Sequence, residues 1–141
     1  MRHPLRDFTG YRILQIHRAH RNRAEYAFNE LGLHTGQEWA LFELWNEEGL
    51  TQSELANNLG VEPPTITKST ARLEKAGLVE RRQDPEDARV SRVYLTPAGR
   101  ALQGPVREVW DRLEAQTVQG LSDVEIVLLR RLLDQVYDNL R

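Results

Sequence analysis

A chain of 141 residues, 40% hydrophobic and 28% charged, has the size and composition of one globular domain with a sizeable core. The absence of cysteine excludes disulfides, thiolate zinc sites, cysteine nucleophiles and thiol-based redox sensing. A net charge of −2 is wrong for a uniformly basic nucleic-acid binder, so any surface for a polyanion must come from local clustering.

Such clustering starts at once, since residues 1–24 hold six Arg against Asp7 alone. The opening residues do not form a charged-then-apolar leader with a small-residue cleavage site. No apolar run approaches the roughly 20 residues of a membrane span. A cytoplasmic protein is therefore expected. Phe8, Tyr11, Leu14, Ala24, Ala27, Phe28 and Leu31 recur at helical period and predict a helix over 8–31, stopped by Gly32. Thr35 with Glu38 has the spacing of a capping box. The helix it starts carries Trp39, Leu41, Phe42, Leu44 and Trp45, and Gly49 is its predicted end. Residues 25–50 hold six Glu and no Lys or Arg, which reads as a solvated acidic face.

Thr51 with Glu54 repeats the capping box, with Leu55, Ala56 and Leu59 pointing inward and Gly60 breaking the helix. Pro63–Pro64 opens the next helix, because the first turn needs no partner for the missing N–H; Gly77 caps it after Ala76. Leu78–Arg82 and Val90–Leu95 read as short strands, with Gln83–Arg89 an exposed loop marked by Pro85. Thr96–Pro97 starts a helix running towards Gln119, bent at Gly104–Pro105. Ser122 with Glu125 is a third capping box, and Ile126, Leu129, Leu132, Leu133, Val136, Tyr137 and Leu140 share one face of the last helix. The predicted fold class is mainly α with a small β-hairpin wing: a winged helix-turn-helix between N- and C-terminal helices.

The helix after Pro63 divides by face. Ile66, Thr70 and Leu73 fall on one side, while Thr65, Lys68, Ala71, Arg72 and Lys75 lie opposite. Small side chains permit close approach to base edges, and Lys68 and Arg72 can neutralise phosphates or reach guanine acceptors. Arg81, Arg82, Arg89 and Arg92 cluster on the hairpin, a cationic arm suited to a narrow groove or the phosphate backbone. Asp87 stands two residues before Arg89 and can fix its guanidinium through a charge-assisted bond. Singly, these are a solvated helix face and a surface ion pair worth about 0–1 kcal/mol. Side by side, they favour DNA binding.

These segments resemble a known family. DPEDARVSRVYLTPAG (84–99) is similar to the wing of the multiple-antibiotic-resistance regulator (MarR) family, an Asp-x-Arg followed by a strand and Leu-Thr-x-x-Gly. TARLEKAGLVERR (70–82) resembles the end of that family's recognition helix and its first wing strand, and TQSELANNLG (51–60) the first helix-turn-helix element. Pro63–Pro64 departs from the more polar opening usual there. The resemblance implies one domain over 1–141, with a DNA-binding lobe at 34–97 and dimerisation helices at 1–33 and 98–141. It implies a homodimeric transcriptional regulator, most often a repressor, on a pseudo-palindromic duplex, with recognition helices roughly 34 Å apart. The DNA-facing residues it implies are Thr65, Thr67, Lys68, Ser69 and Arg72 on the helix and Asp87 and Arg89 at the wing tip; the cationic cluster on the hairpin adds Arg82 and Arg92.

Members of the family often respond to small aromatic or phenolic ligands. Tyr11, His17, His20, Arg21, Trp39 and Trp110 are the candidates here, since an aromatic wall with a cationic or hydrogen-bonding group suits a phenolate or carboxylate. Core or interface packing is the competing reading of both tryptophans. His17 and His20 lack a defined carboxylate partner and stand beside Arg18 and Arg21, so neither a metal site nor a cofactor is expected. No nucleophile–base pair links Ser53, His34 and the glutamates, so an enzyme is not expected. The alternative to a DNA-binding regulator is a winged-helix protein-interaction module.

Overall fold

The apolar period of the N-terminal stretch produces one long helix, α1 (Thr9–Asn29), after a 3-10 turn at Pro4–Asp7. The structure, a computed structural model, describes residues 3–34 and 36–141; the capping hydroxyl expected of Thr35 lies outside them. Only Ala24 and Phe28 of α1 are buried, and they pack along α6 (Gln103–Thr117). Near the start of α1, Phe8, Leu14 and Ile16 are all more than half exposed.

Helix α2 (Gln37–Asn46) starts from Gly36, whose φ of 99° is the left-handed conformation glycine tolerates. The Glu38 carboxylate accepts the Gly36 N–H at 2.8 Å. Burial pushes its pKa up, against the pull of those backbone hydrogen bonds. The helix stops at Asn46, three residues before the predicted end at Gly49. Gly49 serves a different purpose: at φ 79° a Cβ there would stand 3.1 Å from the Tyr94 hydroxyl oxygen. A third strand that the sequence did not reveal follows it, β1 (Leu50–Thr51).

The predicted capping box holds on α3 (Gln52–Leu59): Thr51 Oγ1 accepts from Glu54 N at 3.1 Å, and Glu54 Oε2 accepts from Thr51 N at 2.8 Å. Helix α4 (Pro63–Lys75) follows, then β2 (Val79–Gln83) and β3 (Ser91–Leu95). The sheet is antiparallel in the order β1-β3-β2, with Leu50 opposite Val93 and Arg82 opposite Arg92. Its inner face, Val79, Val93 and Leu95, meets Leu41, Leu44, Leu55, Ile66 and Leu73 in one core.

The helix expected as bent at Gly104–Pro105 is divided into α5 (Pro97–Ala101) and α6. The break falls just upstream of the pair, at Leu102. A proline ring clashes with the carbonyl four residues earlier, here Ala101, and offers that carbonyl no N–H. Gly99 of α5 touches the hairpin so closely that a Cβ would lie 2.1 Å from the Leu78 carbonyl oxygen. The Gly99 carbonyl accepts the Trp45 indole N–H at 3.0 Å, which joins α5 to α2.

The last helix, α7 (Asp123–Leu140), carries the predicted Ser122–Glu125 box and buries no residue at all. Val124, Val127, Leu128, Leu132, Leu133, Tyr137 and Leu140 stand exposed along it. Among the described residues no helix is long and apolar enough to cross a membrane.

Candidate nucleic-acid interface

Helix α4 buries the face the sequence assigns inward: Ile66, Thr70 and Leu73. Thr70 satisfies its buried hydroxyl by donating to the Ile66 carbonyl at 2.8 Å. Thr65, Thr67, Lys68 and Arg72 are exposed, whereas Ser69 is half-buried towards α2. Thr67 Oγ1 lies within hydrogen-bond distance of Gln52 Oε1 at 3.0 Å and the Pro63 carbonyl at 3.1 Å, so its proton already has acceptors. Lys68 and Arg72, one helical turn apart, form no ion pair among the described residues. Their charge faces outward uncompensated.

The hairpin arginines differ in what they do. Arg81 forks onto Glu74 of α4 at 3.1 and 3.2 Å, which raises its pKa and ties β2 to that helix. Arg82 pairs with Glu80 and lies 4.3 Å from the centre of the Tyr94 ring. Arg92, predicted to face DNA, turns into the lobe: its Nε donates to Asp84 at 2.7 Å and its Nη1 to the Gly49 carbonyl at 2.8 Å. Only Arg89 reaches out from the tip, its side chain 90% exposed. Asp87 accepts from the Arg89 amide at 3.0 Å and from its guanidinium at 3.2 and 3.3 Å, giving the expected clamp.

Asp84 organises the loop and was missing from the sequence-derived set. One carboxylate oxygen accepts the amides of Glu86 at 2.8 Å and Asp87 at 3.4 Å, while the other holds Arg92. Aspartate before Pro85 was a readable turn signal, but its Arg92 partner is a tertiary contact. The Arg92 hydrogen bond, ahead of the two amides, holds the Asp84 carboxyl below the usual range. A folded-state pKa below the unfolded one stabilises the loop above the unfolded value, and that contribution disappears as pH falls through the folded value. Below about pH 3.9 the Glu86 and Asp87 amides should lose hydrogen-exchange protection, after correction for intrinsic rates. Asp84→Asn should show that loss already at neutral pH; wild-type protection in the variant would remove Asp84 from this role.

The six ligand candidates do not converge. His20, Trp39 and Trp110 meet at the junction of α1, α2 and α6, with ring centroids of His20 and Trp39 each 5.9 Å from Trp110. Phe28 and Phe42 complete the cluster at 6.4 and 6.2 Å from Trp110. Phe42, three residues after Trp39 on one helix, was legible as its neighbour. Tyr11, His17 and Arg21 lie elsewhere on α1, where the Tyr11 hydroxyl accepts from Gln15 at 3.4 Å. Within the cluster the Trp110 indole N–H is buried with no acceptor among the described residues.

A family model described as MarR family matches residues 36–91. The HTH-type transcriptional repressor IacR of Pseudomonas putida is 29% identical over 135 residues, which are 95% of this chain and 80% of that protein. The crystal structure of a probable transcriptional regulator from Pseudomonas aeruginosa is 30% identical, covers 94% of this chain and 98% of its own, and superposes with a TM-score of 0.84. The S. aureus MepR–DNA complex shares the fold with a TM-score of 0.86 at 24% identity, over 94% of this chain and 98% of that one.

Proposed function

The chain belongs to the MarR family, and from that premise we propose that it is a sequence-specific transcriptional regulator, a repressor binding pseudo-palindromic double-stranded DNA as a cytoplasmic homodimer. The observation that carries this reading is the uncompensated cationic face of α4 beside a wing tip on which Asp87 presents Arg89. MepR, which has this fold, is crystallised with DNA, and IacR is named a repressor. Residues 34–97 form the DNA-binding lobe, α4 entering the major groove and the wing the adjacent backbone or minor groove. The helices of 1–33 and 98–141 form the dimer, which accounts for an α7 that buries nothing within its own chain.

The aromatic cluster is the proposed effector site. Its buried indole N–H from Trp110 needs an acceptor, and the carboxylate or phenolate of a small aromatic ligand supplies one.

Arg89→Ala tests the wing. The residue is almost wholly exposed, so folding and dimerisation should not change. Affinity for an operator fragment selected from genomic DNA should weaken by about 1–3 kcal/mol if the guanidinium reads a groove. Fluorescence anisotropy measures this directly, and unchanged affinity would take the wing out of the interface. The wild-type salt dependence tests the whole reading. A steep fall of affinity with added salt is expected from counterion release; no salt-sensitive DNA binding would leave a protein-interaction module.

A further inference from the structure

A hollow of 560 Å³ lies between α2, α3 and α4. Trp39 and Glu43 enter it from α2, Leu59 and Val61 from the end of α3 and the turn after it, and Thr65 and Ser69 from α4. Of the six residues foreseen for an aromatic effector, Trp39 alone reaches it. Trp39 is 48% exposed and Val61 37%, so the walls are open to a ligand. Glu43 is the single charged residue lining the space, and among the described residues no cationic side chain pairs with it. Asn58 Nδ2 donates to Glu43 Oε2 at 3.0 Å and holds the carboxylate in place.

We propose that this hollow binds a lipophilic monocation: an aromatic ring carrying an ammonium or quaternary ammonium group. The indole face attracts a cation through its quadrupole, and the attraction grows as water is excluded. The half-buried carboxylate supplies the opposite charge, and Leu59, Val61 and Ile66 take the ring. A phenolate or carboxylate would instead face Glu43 and be repelled. The hollow beside Glu43 therefore selects for positive charge. A bound cation also touches α4, the helix that carries Lys68 and Arg72.

Isothermal titration of the full chain with 2-naphthylmethylammonium, neutral 2-naphthylmethanol and anionic 2-naphthoate tests the assignment. The ammonium should bind the wild type on the order of ten-fold more tightly than the alcohol. Glu43→Gln, nearly isosteric, should erase that margin and leave the alcohol's affinity unchanged. Val61→Phe should fill the hollow and abolish binding of the ammonium, with circular dichroism reporting that each variant is folded. Failure of the ammonium to bind overturns the proposal, as does equal affinity for ammonium and alcohol, or a margin that survives Glu43→Gln. Binding lost in Trp110→Phe but intact in Glu43→Gln would place the ligand in the aromatic cluster and equally overturn it.

Discussion

Leu133→Asp is expected to yield a folded monomer whose affinity for the full palindrome has fallen by about two to four orders of magnitude. Helix α7 buries none of its residues within the chain, and Leu133 is 51% exposed. A carboxylate there is therefore inexpensive for the isolated chain. In a two-fold symmetric dimer each substitution appears twice in one isologous interface. Desolvating each unpaired carboxylate costs several kcal/mol, enough to dissociate the proposed interface of Val124, Leu128, Leu132 and Tyr137. Once the copies separate, each half-site is bound independently and the gain from a tethered second contact is lost. Sedimentation would give the mass, circular dichroism the helix content, and anisotropy the affinity for full and half operators. A monomer that binds the palindrome as tightly as the wild type would contradict dimeric recognition. A variant that remains a dimer would move the interface away from this face.

Gly99→Ala should destabilise the fold far more than a methyl added at a glycine with open space around it. The added Cβ would sit 2.1 Å from the Leu78 carbonyl oxygen and 3.2 Å from Leu95 Cδ2. Backbone stands on both sides of that contact, so no rotamer relieves it. The displaced carbonyl also accepts the Thr96 N–H at 3.1 Å, and Thr96 Oγ1 donates to the Gly77 carbonyl at 2.6 Å. The cost should lie at or above the upper end of the about 1–3 kcal/mol typical of overpacking. That corresponds to a drop in melting temperature of roughly 10 °C for a chain of this length. Gly104→Ala is the control, since its Cβ meets nothing within 4 Å. It should leave the melt unchanged or raise it slightly. A Gly99→Ala melt equal to that of the control would mean that α5 does not pack on the hairpin as described.

Local chemistry was the most legible part of the sequence. The Thr51–Glu54 and Ser122–Glu125 boxes need only neighbours three residues apart, and both are present with both hydrogen bonds. The inward face of α4 followed from period alone. Distant partners were not legible. Counting cations could not separate Arg89 from Arg92, because Arg92 is held by Asp84 and by Gly49, which is 43 residues away. Strand β1 has two residues and no alternation to detect, and it exists because β3 offers an edge. Gly49 was read as a helix stop although the requirement there comes from the Tyr94 ring. Side-chain chemistry likewise grouped Tyr11, His17 and Arg21 with His20, whereas packing against α6 selects His20 alone.

The way the wing closes on itself separates its tip from its base. Asp84 N donates to the Val90 carbonyl at 2.8 Å, just beyond the last ladder pair, Gln83 with Ser91. Asp84 and Arg92 then lock that closure to the body of the lobe. Residues 85–89 hang from this latch as a replaceable cartridge. Their sequence can drift, or be exchanged by design, without disturbing the core. A lineage can thus vary the side chains presented at the wing tip while the latch and the core beneath it stay constant.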